Sequence, residues 1–190
     1  MGPLNERMKA DLARRQGDIR YPVDWTTLGE YLAGLEKRGV APNVASFVGA
    51  TTVRDHVLGE GDVQPTAAQL DEMRAIVRSA MEEGALGVGA SLIYAPASYA
   101  KTDELIALVT EAGRCGGMYI THMRSEGDRL VEAVAETIEI ARAAGAPAEI
   151  YHLKAAGRSN WGKIDAVIAM VDEARRHDSG HTQNLSQIGG

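Results

Sequence analysis

The chain has 190 residues, of which 45% are hydrophobic and 24% charged, and its formal net charge is −6. This is ordinary globular composition, and the scattered basic residues argue against a nucleic-acid-binding surface. Its single cysteine excludes an internal disulfide bond and no apolar run reaches the roughly 20 residues of a membrane helix, so we predict a cytoplasmic protein with no membrane or nucleic-acid partner.

The first half of the chain predicts two helices, each followed by an apolar run. "WTTLGEYLAGLEKRG" ends at Gly39 and precedes the strand-like "NVASFVG". In "PTAAQLDEMRAIVRSAMEEG", Thr66 and Gln69 form a capping box, and one face is apolar (Leu70, Met73, Val77, Ala80 and Met81). The run "ALGVGASLIY" then follows Gly84. Its glycines favour close packing over a phosphate loop, because neither a GxGxxG order nor a Lys-Ser/Thr pair is present.

The second half repeats this alternation. "TDELIALVTEAGRCGG", with Thr102 as a predicted N-cap, precedes "MYIT", and "EGDRLVEAVAETIEIARAAG", ending at Gly145, precedes "AEIY". "NWGKIDAVIAMVDEARR" is the last predicted helix. The inward stripes of these three helices are Leu105, Leu108, Val109 and Ala112; Leu130, Val134, Ile138 and Ala141; and Ile164, Val167, Ile168, Val171 and Ala174.

Strands that alternate with helices at this spacing predict βαβ units and a parallel sheet. Periodicity alone leaves a doubly wound sheet and a (β/α)₈ barrel equally open. We place an N-terminal lead-in at residues 1–24, the strand–helix repeats at 25–176, and a polar, Gly-rich tail at 177–190 that we expect to be disordered.

Two histidines follow consecutive predicted strands at the same place. His122 follows "MYIT", and His152 follows "AEIY" 30 residues later, which is one strand–helix unit. Neighbouring parallel strands lie about 4.8 Å apart, and α/β proteins build their sites at the carboxyl ends of the strands. Two imidazoles at equal height there can bind one metal ion with bonds of about 2.0–2.1 Å. We therefore predict a metal site, with zinc as the candidate ion.

The remaining histidines do not complete this site. A catalytic zinc takes three protein ligands, so two histidines are too few. His56 has no strand-end register, and we assign it to a loop or short helix. His177 and His181 have the spacing of a helical zinc pair, but Ser179 and Gly180 between them favour a frayed tail.

Five segments together resemble the N-acyl-D-amino-acid deacylase (D-aminoacylase) branch of the amidohydrolase superfamily. They are "NVASFVGATTVR", "EEGALGVGASLIYAPASYA", "YITHMRSEG", "EAVAETIEIARAAG" and "YHLKAAGRSNWGK", and the similarity runs from about Trp25 to Arg176. The resemblance implies a metal-dependent TIM-type (β/α)₈ barrel that hydrolyses N-acyl-D-amino acids. It also implies one or two divalent ions, zinc being the expected metal, that activate a water molecule.

The resemblance also implies roles for individual residues. His122 and His152 align with the metal-binding histidines that end the fifth and sixth strands. Lys154 aligns with the lysine that holds the substrate carboxylate. Ile93 and Tyr94 are candidate walls of the substrate pocket, and Arg124 lies at its rim.

Several features of that family are not visible in this sequence. They are an HxH pair on the first strand, a bridging Cys or Glu on the next strand, and a catalytic Asp after the eighth. The chain therefore resembles a central fragment, the third to sixth strand–helix units, and we expect it to lack a general base and to have doubtful activity alone. We also expect self-association through exposed sheet edges. The alternative is a non-catalytic half-barrel that binds metal weakly or oligomerises; a nucleotide-binding α/β protein is a weaker third possibility.

Overall fold

The strand–helix alternation folds into one parallel sheet backed by helices. The computed structural model describes residues 2–178. In chain order the elements are α1 (Glu6–Arg15), α2 (Leu28–Arg38), β1 (Val48–Gly49), α3 (Ala50–Leu58), α4 (Ala67–Glu82), β2 (Gly87–Ser91), α5 (Thr102–Arg114), β3 (Met118–His122), α6 (Leu130–Ala144), β4 (Ala148–Ile150) and α7 (Ile164–Asp178), with short 3₁₀ turns at Ala97–Tyr99 and Arg158–Lys163.

The four strands pair in their chain order, β1-β2-β3-β4, and every pairing is parallel. Ser91 at the end of β2 is in register with His122 at the end of β3, and Thr121 is in register with Ile150 on β4. Parallel pairing with a helix between consecutive strands confirms the predicted repeats. It also brings the carboxyl ends of β2, β3 and β4 to the same edge.

The main core lies between the sheet and helices α3 to α7. The predicted stripes of α5 and α6 are buried throughout, as are Met73, Val77 and Ala80 of α4. On α7 the prediction was wrong for Ile168, which is 41% exposed. Val167, Val171 and Ala174 of α7 are buried in the main core, whereas Ile168 is not.

Capping residues set the ends of several helices. Thr66 and Gln69 form the predicted capping box of α4, and Gly39 and Gly145 close α2 and α6 with φ of 73° and 63°. The prediction that Thr102 caps α5 was wrong. Lys101 occupies the N-cap position, and the Thr102 hydroxyl instead donates to Glu136 of α6 at 2.9 Å. A partner on a neighbouring helix thus replaces the local hydrogen bond.

The lead-in contains a helix that the periodicity did not indicate. Asn5 caps α1 by accepting from the Met8 backbone N–H, and Leu4, Met8 and Trp25 form a small second cluster. Helix α1 is tied to α3 by the Arg7–Asp55 ion pair. At the other end, α7 continues to Asp178, and the rest of the predicted tail, including His181, lies outside the described residues. No helix between residues 2 and 178 is both long and apolar enough to cross a membrane.

A buried carboxylate links α4 to α5. Glu111 of α5 is paired with Arg74 and Arg78 of α4 at 2.7 and 2.9 Å, and with Arg114 at 3.1 Å. Burial alone would raise the pKa of Glu111, but hydrogen bonds from Arg78 and Arg74 outweigh it and hold this pKa below its ordinary value. A carboxyl group whose pKa is lowered by folding stabilises the folded state at pH values above its pKa in the unfolded chain. That stabilisation is lost as the pH falls through the lowered pKa.

We therefore expect Glu111→Gln to reduce the free energy of unfolding at pH 7. The difference from the parent chain should shrink as the pH falls through the lowered pKa of Glu111, because protonation removes the same charge from the parent. Urea denaturation at a series of pH values measures this. Glu72→Gln, an exposed position on α4, is the control and should show little change. A Glu111→Gln penalty that stays constant down to pH 3 would contradict the prediction.

Candidate metal centre

The two strand-end histidines lie against each other at the carboxyl edge of the sheet. His122 is the last residue of β3, and His152 follows β4 by two positions. The Tyr151 backbone N–H donates to the Thr121 carbonyl at 2.9 Å, which continues the pairing just past β4. His152 then adopts φ of 36°, a left-handed conformation uncommon outside glycine. The ring centroids of the two histidines are 4.6 Å apart.

One nitrogen of each ring faces the other. Nδ1 of His122 and Nε2 of His152 are 3.0 Å apart. Two ligands of one tetrahedral zinc, with bonds of about 2.0–2.1 Å, have their nitrogens about 3.3 Å apart. The facing nitrogens are therefore close to the spacing that one shared ion requires.

Glu126 joins this pair from the loop after β3. Its Oε1 atom lies 3.1 Å from Nδ1 of His152 and 3.6 Å from Nε2 of His122. The three side chains offer ligand atoms that all lie within 4.8 Å of one another. Sequence reasoning did not select Glu126. The signal that could have found it is the short polar run "HMRSEG", which places a carboxylate four residues after a strand-end histidine.

Lys154 lies on the same side as Glu126. Its ammonium group contacts the Glu126 carboxylate and is 2.9 Å from Nδ1 of His152, while the side chain stays half exposed. An ammonium carries three N–H donors and the Glu126 carboxylate takes one, so donors remain for a further acceptor.

The electrostatics of the site favour a neutral His122. Burial lowers the pKa of His122, and the charges of His152 and Lys154 add to this, while Glu126 opposes it. Neutral imidazole is the form that binds a metal. Nε2 of His122 is also buried without a hydrogen-bond partner. Imidazole nitrogens are zinc donors and the facing pair lies close to the spacing of two ligands, so the residues present fit such an ion.

Of the other predicted site residues, Tyr94 lies near the histidines, whereas the side chain of Arg124 is directed toward α6. The Tyr94 ring lies 5.6 Å from that of His122, between centroids, and its side chain is 63% exposed. Ile93 beside it is also exposed. Arg124 turns toward α6, where its guanidinium binds the Glu136 carboxylate and donates to the backbone carbonyls of Ser98 and Ala100, each at 2.9 Å. These partners occupy four of its five N–H donors, so Arg124 links the segment before α5 to α6.

No profile of a known protein family matches the chain. Several curated proteins, however, are similar to it in sequence. The chain is 32% identical over 164 residues to D-aminoacylase and 35% identical over 175 residues to N-acyl-D-aspartate deacylase, both of Alcaligenes xylosoxydans xylosoxydans, covering 86% and 87% of this chain. N-acyl-D-glutamate deacylase of the same organism is 33% identical over 145 residues. The chain is homologous to one segment of the N-acyl-D-amino-acid deacylases.

Solved structures give the same assignment. N-acyl-D-glutamate deacylase from Bordetella bronchiseptica, complexed with zinc and a phosphonate mimic of the tetrahedral intermediate, superposes with a TM-score of 0.79 at 30% identity over 85% of this chain. A D-aminoacylase crystal structure gives 0.75 at 33% identity over 79%. These neighbours confirm the predicted amidohydrolase-type barrel repeats. The chain spans about a third of the length of these relatives, 33% and 35% of the first two.

Proposed function

We propose that this chain supplies the metal-binding part of a hydrolase that deacylates N-acyl-D-amino acids. The observation that carries the proposal is the 3.0 Å separation of Nδ1 of His122 and Nε2 of His152, at the carboxyl ends of adjoining parallel strands. The homologous segment of the deacylases supports the choice of reaction, because their names state it.

His122 and His152 are the residues we assign to the metal, with zinc as the expected ion. When bound, such an ion polarises an amide carbonyl and lowers the pKa of a water molecule toward neutrality. The chain's own contribution is to hold two imidazoles at a fixed separation. The burial that keeps the pKa of His122 low favours metal binding, since it disfavours protonation of that ring.

The residues around the histidines suit an N-acyl amino acid. We assign Lys154 to the free α-carboxylate of the substrate, because its half-exposed ammonium retains a donor beside the metal site. We assign Tyr94 to a wall of the substrate pocket, because its ring lies next to that of His122. Ile93 is assigned to the same wall from its sequence position. Arg124 stays assigned to the rim of the pocket, where Glu136 and two carbonyls hold its guanidinium and leave one N–H donor.

A non-catalytic, self-associating module is the second candidate. The chain covers about a third of its relatives, and it exposes Val44 shortly before the outer strand β1 and Tyr151 directly after the outer strand β4. Such edges offer unpaired backbone groups to another chain. A cytoplasmic location, and the absence of membrane and nucleic-acid partners, stay predictions from composition.

The assay that separates the two candidates is acetate release from N-acetyl-D-glutamate, N-acetyl-D-aspartate and N-acetyl-D-methionine by the zinc-loaded chain, with the L-enantiomers as controls. The hydrolase candidate predicts turnover of D-substrates, slow because no general base is assigned in this chain. His152→Ala should reduce that turnover at least about 100-fold, because the variant removes one of two assigned ligands. Zinc binding without turnover, together with concentration-dependent association on size exclusion, would favour the non-catalytic module. Turnover unaffected by His152→Ala would contradict the assigned site.

A further inference from the structure

Glu126 lies behind the two histidine rings rather than between them. The nitrogens that face each other are Nδ1 of His122 and Nε2 of His152. Glu126 Oε1 instead approaches the opposite nitrogen of each ring, at 3.1 Å for His152 Nδ1 and 3.6 Å for His122 Nε2. The group therefore has two sides, one where nitrogens face each other and one where a carboxylate lies.

The carboxylate side already holds a cation. The Lys154 ammonium contacts Glu126 and lies 2.9 Å from Nδ1 of His152. A divalent ion placed among Glu126 and those outer nitrogens would meet this positive charge, and like charges at such separations repel. On the other side, the facing nitrogens contact each other. Charge therefore favours an ion that binds at the facing nitrogens.

We propose that Glu126 is a positioning residue that orients the ring of His152 for the metal. His122 is held in turn, because its Nδ1 contacts Nε2 of His152. With Nε2 of His152 bound to a metal, Nδ1 would carry the ring proton, and Glu126 Oε1 at 3.1 Å would accept from it, because the Lys154 ammonium has no lone pair to do so. Metal-binding histidines commonly donate their second N–H to a carboxylate in this way, which fixes both tautomer and ring orientation. This inference rests on the metal site of the proposed function.

The loop around Glu126 is built to hold this position. The Glu126 carbonyl accepts from the Ala156 backbone N–H at 2.6 Å, which fastens the loop after β3 to the loop after β4. Ser125 Oγ accepts from the backbone N–H groups of Gly127 and Arg129 at 3.2 and 3.3 Å. Glu126 is 8% exposed, and Lys154 compensates its charge. Backbone and side chain of one residue thus join the two loops that carry the histidines.

The test is zinc affinity, measured by isothermal titration of ZnCl₂ into the metal-free chain. Loss of such a carboxylate partner weakens metal binding about 10- to 100-fold. We expect Glu126→Ala to weaken zinc binding by that factor. Glu126→Gln should weaken it less, because its amide oxygen still accepts from Nδ1–H. Glu139→Gln, an exposed position on α6, removes the same charge and should leave the affinity unchanged.

A spectroscopic readout separates positioning from ligation and from mere structural support. Long-range ¹H–¹⁵N spectra of the imidazoles report which nitrogen binds zinc, independently of any hydrolysis. We expect zinc on Nδ1 of His122 and Nε2 of His152, with the proton of His152 on Nδ1. In Glu126→Gln, with metal-free thermal unfolding near that of the parent, this pattern should persist at weakened affinity.

Three results would overturn the inference. Zinc on Nδ1 of His152 and Nε2 of His122 would make Glu126 a ligand. Unchanged affinity in both Glu126 variants would leave it without a role toward the metal. No zinc binding by the parent chain would remove the site itself. A parent chain that binds zinc as described but hydrolyses no N-acyl-D-amino acid would contradict the proposed activity while leaving the role of Glu126 intact.

Discussion

Gly87→Ala is expected to destabilise the chain by more than about 4 kcal/mol and to abolish zinc binding. Gly87 begins β2 with φ of 148°, a conformation that side chains rarely adopt. A Cβ atom built there would lie 1.9 Å from the Met118 carbonyl oxygen and 2.6 Å from its nitrogen, both backbone atoms of β3. Backbone cannot yield as a flexible side chain does, so the strands must separate where they begin to pair.

Gly87→Ala should also disturb the metal site, because β2 pairs with the strand that carries His122. Gly87 pairs with Met118 at one end of the ladder and Ser91 with His122 at the other, so displacing β3 displaces a histidine. Gly89→Ala, in the same strand, is the matched control. Its Cβ would meet Ile120 and Phe47 side chains at 3.5 Å, an ordinary contact. Urea denaturation and zinc titration measure both effects. Equal stability of the two alanine variants would contradict the argument.

These glycines show how far the sequence could be interpreted. The absence of a Lys-Ser/Thr pair after "GALGVG" indicated packing rather than phosphate binding, and the close approach of Gly87 to Met118 agrees with packing. The alternation of helix and strand likewise predicted the parallel sheet, because period and spacing are local properties. The choice between a doubly wound sheet and a barrel was not local. It rested on resemblance to known proteins, which the structural neighbours then confirmed.

The candidate site was predictable where it followed strand register and unpredictable where it depended on loops. His122 and His152 lie one strand–helix unit apart, so adjacency of their strands follows from the fold. Glu126 reaches them because its loop is fastened to Ala156, a contact 30 residues away in the chain that no pattern reveals. The left-handed backbone of His152 was equally hidden. Thr102 failed as a local N-cap assignment, because its hydroxyl binds Glu136 across the gap to α6.

A buried ion pair between α3 and α5 gives the second large effect. The side chains of Arg54 and Glu104 are 1% and 3% exposed, and Nη1 of Arg54 lies 2.5 Å from Oε2 of Glu104. Arg54 also donates to the Val63 carbonyl. Burial raises the pKa of Glu104 even though Arg54 lowers it in part. The carboxylate therefore depends on its partner to stay charged inside the core.

Arg54→Ala is expected to cost about 3–5 kcal/mol at pH 7, because it leaves an unpaired carboxylate in the core. A raised pKa means that stability is present at low pH and lost as the pH rises through it. Without Arg54 the pKa of Glu104 rises further, so the penalty should be smaller near pH 4.5 than at pH 7.

The double variant Arg54→Met/Glu104→Leu should recover most of this loss, because two apolar side chains of similar size replace the pair and leave no charge behind. Arg7→Ala breaks a half-exposed arginine–aspartate pair between α1 and α3 and should cost about 1 kcal/mol or less. Urea denaturation of all three at both pH values tests the argument. It fails if the double variant is as unstable as Arg54→Ala, since the cost would then lie in lost packing and not in the buried charge.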